Sequence, residues 1–258
     1  MTEQRERATR FHALHVPGKP LVLFNAWDPG SAATIAATGA KAIATGSASV
    51  AYAHGYQDGE KIPLALVLAN LKRIVAAVEL PVTLDFEAGY AREPARLAEN
   101  IAAAVEAGAI GFNFEDGVVD GEGLYPLADQ VARIRAIRAA AERAGVPIFL
   151  NARTDAYLQA PASTHDAAMV DATLERARAY ADAGASGLFV PGLVDEALVA
   201  RCCADSPLPV NVMLSSKAPS AAKLASLGVA RISHGPGPYR LAMKALADAA
   251  RAAHAAAG

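Results

Sequence analysis

The fold is decided by a short unit whose clearest copy is Glu106-Ala-Gly-Ala-Ile-Gly-Phe112. An alanine-rich helical segment ends at Gly108, and a short apolar run follows it directly. Glycine is expected just after a helix because it adopts the left-handed conformation without strain. The same helix–glycine–strand unit recurs at Gly39, Gly145, Gly184 and Gly228. The recurrence predicts parallel strands that alternate with helices along the chain.

Eight apolar segments fit the strands of this repeat. They span residues 21–25, 41–45, 81–86, 110–115, 147–151, 187–190, 209–213 and 230–233. Their nearly continuous apolar character is typical of strands buried on both faces. Eight strand–helix units in 258 residues predict an α/β fold of the (β/α)8 TIM-barrel type. No G-x-G-x-x-G follows the first strand, which argues against a dinucleotide-binding domain.

We predict that residues 1–258 form a single barrel domain with a helical addition at each end. Residues 1–16 are expected to form a polar, helical N-terminal arm, and residues 236–258 a C-terminal helical segment. The alanine-rich stretch 241–257 has an apolar face suited to packing on a partner.

Composition excludes several classes of protein. The net charge is −2 without a basic block, so nucleic acid is not an expected partner. No apolar run approaches the roughly 18 residues of a membrane-spanning helix, and the charged N-terminus lacks the apolar core of a signal peptide. Adjacent Cys202 and Cys203 suit a reducing compartment. A cytoplasmic protein without membrane contact is therefore expected.

Charged side chains gather where predicted strands end. Asp85 and Glu87 follow an apolar run, and residues two apart in a strand point to the same side. Glu115 and Arg153 end two further strands. The carboxyl ends of barrel strands build the active site, so these four residues are expected to converge. Carboxylates with water suit Mg²⁺ or Mn²⁺, while His and Cys are too scarce nearby for zinc.

Each of these residues also has a purely structural interpretation. Arg153 and Asp155 fit a rim ion pair, and Asp28, Asp116 and Ser47 fit helix caps. Four charges on neighbouring strand ends together favour a functional site.

Substrate contacts are expected from Thr45, Gly46 and Ser47, whose loop offers backbone N–H groups to an anion. Asn211, on the seventh strand, is a further candidate. Lys217 lies in a loop, so a Schiff-base aldolase, which needs a lysine on a strand, is only a distant alternative.

Taken together, these residues resemble the isocitrate lyase / phosphoenolpyruvate mutase superfamily over roughly residues 21–245. The shared motifs are Asn25-Ala-Trp-Asp28, Thr45-Gly-Ser47, Gly55-x-x-Asp58, Asp85-x-Glu87-x-Gly-Tyr90, Asn113-Phe-Glu115-Asp116-Gly and Asn151-Ala-Arg-Thr-Asp155. The resemblance implies a barrel whose eighth helix is often exchanged between subunits, in homodimers or homotetramers. It also implies Mg²⁺ and a small-molecule 2-oxo acid substrate.

The resemblance assigns roles to individual residues. Asp85 looks like the direct metal ligand, and Glu87 and Glu115 look like holders of metal-bound water. Ser47 and the neighbouring amides would bind the substrate carboxylate. Asp58 would lie on a mobile segment near the reacting group. Arg153 would stabilise an enolate oxyanion of pyruvate type.

The sequence departs from the superfamily pattern in three places. The segment Gly117–Tyr125 lacks the Cys-Gly-His loop of the lyases, which argues against isocitrate or methylisocitrate lyase activity. Thr45 replaces an aromatic residue, and Glu87 replaces an aspartate. We therefore expect a lyase, decarboxylase or phosphonomutase-like enzyme that proceeds through an enolate. The alternative is a barrel that binds metal and 2-oxo acid without catalysis.

Overall fold

The computed structural model describes residues 2–256. Its strands are β1 Leu21–Leu23, β2 Ile43–Ala44, β3 Val82–Asp85, β4 Gly111–Glu115, β5 Phe149–Arg153, β6 Gly187–Phe189, β7 Val210–Met213 and β8 Arg231–Ser233. Its α-helices are α1 Thr2–Ala13, α2 Pro29–Ala37, α3 Ser47–Ala53, α4 Leu64–Ala77, α5 Pro94–Glu106, α6 Leu127–Arg143, α7 Ala156–Gln159, α8 Ala167–Asp182, α9 Glu196–Asp205, α10 Ala221–Ser226 and α11 Gly237–Ala256.

The strands form one parallel sheet that closes on itself. Their order is β1-β8-β7-β6-β5-β4-β3-β2, and every neighbouring pair is parallel. A parallel bridge between Ala26 and Thr45 joins the first strand to the second, and the Ala26 N–H donates to the Ala44 carbonyl at 2.8 Å. The predicted (β/α)8 barrel is confirmed.

The repeat glycines end their helices as predicted. All five have a positive φ, between +69° at Gly145 and +105° at Gly108. At Gly108 a Cβ atom would also lie 2.7 Å from Cγ1 of Val75 on α4. Glycine is therefore needed there both for its backbone conformation and for close helix packing.

Two strand boundaries differ from the prediction in ways that affect the rim. The fifth strand is Phe149–Arg153 instead of 147–151, so Arg153 lies within it and pairs in register with Glu115. The third strand ends at Asp85. Chain order equals spatial order in this sheet, which is why neighbouring strand ends bring their polar residues together.

The N-terminal arm is helical as expected, and it packs against the base of the barrel. Phe11 on α1 is fully buried and meets the Phe149 ring edge-on at 5.6 Å between centroids. His15 stacks on the same ring at 3.8 Å. Gln4 donates to the carbonyl oxygens of Val105 and Ala109. This end of the barrel is thus sealed by aromatic packing.

The C-terminal helix α11 packs little against its own barrel. Of its residues only Pro238 is buried, and Leu241 and Leu246 are 65% and 63% exposed. Val22 and Phe24, in and just after the neighbouring strand β1, also show their side chains to solvent. Within residues 2–256, no helix combines the length and apolar character needed to cross a bilayer.

Candidate active site

A cavity of about 200 Å³ opens at the carboxyl ends of the strands. One side carries polar and charged groups, and the other is largely apolar. The lining residues include Gly46, Ser47, Asp58, Asp85, Asn113 and Arg153 on the first side and Leu158, Phe189, Pro191 and Met213 on the second. Five of the predicted site residues therefore meet at one cavity.

Asp85, the last residue of β3, is held at both carboxylate oxygens. Oδ2 accepts the Ser47 N–H at 3.0 Å, and Oδ1 accepts from Nδ2 of Asn113 at 3.3 Å. The Asp85 N–H donates to Oγ1 of Thr45 at 2.9 Å. Thr45 and the Ser47 amide were expected to contact substrate, but in this structure both position Asp85.

Glu87 lies beside Asp85 but not in the lining of the cavity, and it is positioned differently from the prediction. The strand has already ended, and Glu87 has a φ of +50°, so strand alternation does not place its side chain. Its Oε2 accepts the Glu60 N–H at 2.7 Å. Burial, and then the charges of Asp58 and Asp85, raise the pKa of Glu87 to about 8.

Arg153 lies between two carboxylates. Nη1 is 2.8 Å from Oε2 of Glu115, while Nε and Nη2 donate to the two oxygens of Asp155 at 2.5 and 3.1 Å. Burial opposes the charge on Arg153, but Glu115 and Asp155 outweigh it and raise the arginine pKa. Burial also raises the pKa of Glu115, although Arg153 opposes that effect. The predicted rim ion pair of Arg153 with Asp155 is therefore present, and Arg153 also pairs with Glu115.

Asp58 lines the cavity. Burial and the nearby charge of Asp85 raise its pKa. Asn211 lies one layer deeper, 1% exposed, and its Nδ2 donates to Oγ of Ser233 at 3.1 Å. Met213, two residues further along β7, lines the cavity in its place.

The two aspartates that were predicted as helix caps have different roles. Asp28 caps α2 by accepting the Ser31 N–H at 2.7 Å, as expected. Asp116 is not a cap. It is fully buried and accepts the Asp155 N–H at 3.0 Å and the Tyr180 hydroxyl at 2.7 Å. Asp116 thereby fixes the segment that holds the carboxylate partner of Arg153.

Sequence reasoning missed Arg240 and the apolar wall. Arg240 lies in the first turn of α11 and lines the cavity. A cation is unfavourable near the positive N-terminal end of a helix dipole. An arginine in this first turn was therefore the feature of the sequence that could have indicated a functional residue. The wall residues have apolar types that give no functional signal of their own.

The donor set fits a hard divalent cation held largely through water. Asp58, Asp85 and Glu115 lie near Arg153, and Glu87 lies near Asp58 and Asp85, so negative charges outnumber the guanidinium beside them, a pattern that a further cation relieves. Across residues 2–256, no three His, Cys, Asp or Glu side chains converge closely enough to ligate one ion together. Mg²⁺ usually takes one or two protein carboxylates and keeps several waters, which agrees with this arrangement.

Comparison with known proteins identifies relatives along nearly the whole chain. The family described as phosphoenolpyruvate phosphomutase matches residues 11–254. An uncharacterised protein of Mycobacterium tuberculosis is 38% identical over 243 residues, which cover 94% of this chain and 88% of the relative.

Two solved structures share the fold closely. A protein of Burkholderia cenocepacia J2315, provisionally assigned as a phosphonomutase, is 52% identical, with a TM-score of 0.95 and coverage of 97% of this chain and 99% of the other. A 2,3-dimethylmalate lyase is 27% identical, with a TM-score of 0.83 and coverage of 95% and 86%.

Proposed function

Because the chain belongs to the phosphoenolpyruvate phosphomutase family, we propose that it is a Mg²⁺-dependent lyase or mutase. It acts on a small 2-oxo acid, or an adduct of one, through an enolate of pyruvate type. The observation that carries the proposal is the shared cavity of Asp85 and Arg153. A carboxylate suited to a metal and a cation suited to an oxyanion face the same space.

In this proposal Asp85 holds Mg²⁺ directly, and Glu87 and Glu115 hold its waters. Bound Mg²⁺ would supply Lewis acidity that stabilises negative charge on a substrate oxygen. The protein prepares for this role by fixing both oxygens of Asp85 through Ser47 and Asn113. A coordinating side chain whose orientation is already fixed loses little conformational entropy when the metal binds.

Arg153 stabilises the developing enolate charge. An arginine has five N–H donors, and the contacts with Glu115 and Asp155 use three of them. The other two are available on a side chain that lines the cavity. Because its partners keep it charged and oriented, the guanidinium need not reorganise during the reaction.

The opposite wall indicates what the substrate carries besides its 2-oxo acid core. Leu158, Phe189, Pro191 and Met213 offer an apolar surface, and Arg240 offers a second cation. This combination fits a substrate with an alkyl group and a second anionic group. It supports a lyase reaction on an alkyl-substituted diacid, and a 2,3-dimethylmalate lyase is among the structurally similar proteins.

The segment after β4 argues against isocitrate or methylisocitrate lyase activity. Residues 117–125 contain no cysteine and form a small hairpin with a bridge between Gly117 and Leu124. Asp58 is instead the carboxyl group that we assign to a position near the reacting atoms, since it lines the cavity.

The proposal is tested with oxalate, which mimics the enolate. In titration calorimetry we expect oxalate to bind when Mg²⁺ is present and not when it is absent. Equal binding without metal would overturn the metal-chelate model. Oxaloacetate, phosphonopyruvate and alkyl-substituted malates are then assayed for turnover. Thermal stabilisation by these compounds without any turnover would favour the alternative, a barrel that binds its ligand without catalysis.

We also propose that the chain assembles as a homodimer or homotetramer in which α11 is exchanged. Exposed Leu241 and Leu246 on α11, and exposed Val22 and Phe24 beside β1, are the surfaces that an exchange would bury. Sedimentation should give a mass of two or four chains for the wild type and a smaller mass for Leu246→Asp. A monomeric wild type at micromolar concentration would contradict this assembly.

A further inference from the structure

Arg231 is a buried cation in the barrel interior, below the proposed metal site. It is 1% exposed, and its closest contacts are neutral: Oγ of Ser233, 3.4 Å from Nε, and Oδ1 of Asn113, 3.0 Å from Nη2. Among the described residues no carboxylate lies within salt-bridge distance of it, and Nη1 has no hydrogen-bond partner. A buried charge without an ionic partner is strongly unfavourable for folding. Stability alone therefore does not explain this residue.

Asn113 connects Arg231 to the rim. Its Oδ1 accepts two hydrogen bonds, from Nη2 of Arg231 at 3.0 Å and from Nδ2 of Asn151 at 2.9 Å. With two donors facing this oxygen, rotation of the amide by half a turn would set donor against donor. The Asn113 NH₂ group must therefore face the other way, where it donates to Oδ1 of Asp85 at 3.3 Å.

We propose that Arg231 is a positioning residue that fixes the Asn113 amide and thereby the Asp85 carboxylate in the orientation required for Mg²⁺. Ser47 holds the second oxygen of the same carboxylate, so the two contacts together define its plane. This inference rests on the proposed function, because it assigns Arg231 to the outer shell of that metal site. The competing explanation is that Arg231 only fills the barrel interior beside Phe11, whose ring centroid lies 6.0 Å away.

The first test replaces Arg231 with methionine, which keeps most of the side-chain volume and removes the donors. Loss of an outer-shell partner typically weakens metal binding about ten- to a hundredfold. We therefore expect the Mg²⁺ dissociation constant of Arg231→Met, measured by calorimetry, to rise within that range while the protein stays folded. An unchanged dissociation constant would leave Arg231 as interior packing.

Arg138 provides a matched control. It also donates to neutral oxygens, the Gly184 and Ile148 carbonyls and Oγ of Ser186, but in the outer layer of the barrel. Arg138→Met should lower the melting temperature without changing the Mg²⁺ dissociation constant. If Arg231→Met does not fold, Arg231→Lys retains the charge but loses the planar guanidinium that reaches Ser233 and Asn113 at once, and an intermediate rise in the dissociation constant is expected. Wild-type affinity in that lysine variant would count against orientation of Asn113 by the Arg231 guanidinium.

A double-mutant cycle tests whether the effect passes through Asn113. Once Asn113→Ala has removed the amide, Arg231→Met should cause no further loss of Mg²⁺ affinity, because coupled residues are not additive. Fully additive losses would show that Arg231 acts by another route.

Failure of the proposed function can be told apart from failure of this inference. A wild-type protein that binds no Mg²⁺ contradicts the proposed function. Metal-free crystal structures of the wild type and Arg231→Met then decide the positioning role. A turned Asn113 amide and a rotated Asp85 carboxylate in the variant support it, and identical orientations overturn it.

Discussion

The two ends of the barrel interior are built on opposite principles. At the rim, Asp58, Asp85 and Glu115 lie near Arg153, Glu87 lies near Asp58 and Asp85, and the mutual repulsion of these carboxylates is only partly compensated. At the base, Phe11 of helix α1 meets His15 and Phe149 edge-on, and His15 stacks on Phe149. The rim carboxylates destabilise the fold when no cation is bound to them. The aromatic packing at the base stabilises the fold and offsets that effect. Substitutions at the rim should therefore change binding, and substitutions at the base should change stability.

The largest effect is expected from Asp85→Ala. Removing the proposed direct ligand should take Mg²⁺ binding and turnover below detection, while circular dichroism shows an intact fold. Asp171→Ala, which removes an exposed carboxylate paired with Arg201 on the outer surface, should keep both properties. Unchanged Mg²⁺ affinity in Asp85→Ala would rule out the assignment of the rim as the metal site.

A smaller effect, and one on stability alone, is expected from Phe149→Ala at the base. Phe149 is 2% exposed, and truncating a buried phenylalanine to alanine costs about 3–5 kcal/mol. Urea denaturation should show this loss, whereas Val16→Ala, at an exposed position near the same end, should stay within about 0.5 kcal/mol of wild type. The folded fraction of Phe149→Ala should bind Mg²⁺ normally. Weakened Mg²⁺ binding would contradict the expectation that substitutions at the base change stability alone.

The smallest effect concerns the loss of folding stability at acidic pH that His15, at the base of the barrel, should cause. Burial, with the charge of Arg231, lowers the pKa of His15 from 6.5 to about 3. Between these values the unfolded chain binds a proton that the folded chain does not, so stability falls as pH falls below about 6.5. The linkage relation gives a loss of about 1–2 kcal/mol between pH 7 and pH 5.

His15→Phe should remove this component, so that the variant loses less stability than the wild type over the same pH range. Denaturation curves at pH 7 and pH 5 measure the difference. His254→Gln, at an exposed position on α11, should follow the wild type. If stability depended equally on pH in wild type and His15→Phe, burial at the base of the barrel would not keep His15 neutral.

The sequence predicted the rim better than it predicted the interior. Helix-ending glycines and apolar runs are local signals, and they placed Asp85, Glu115 and Arg153 on adjacent strand ends. Glu87 was placed by strand alternation, but a single left-handed residue beyond the strand cannot be recognised from periodicity. Arg231 and Asn211 lie on strands like their neighbours, and periodicity alone does not say how far below the rim each inward residue lies.

Helix α11 would link the proposed assembly to the proposed active site. The helix that exposes Leu241 and Leu246 also carries Arg240 into the cavity. If a second chain holds this helix, the position of Arg240 depends on that chain. Specific activity would then fall on dilution below the dissociation constant of the assembly, with a rise in KM preceding any loss of fold.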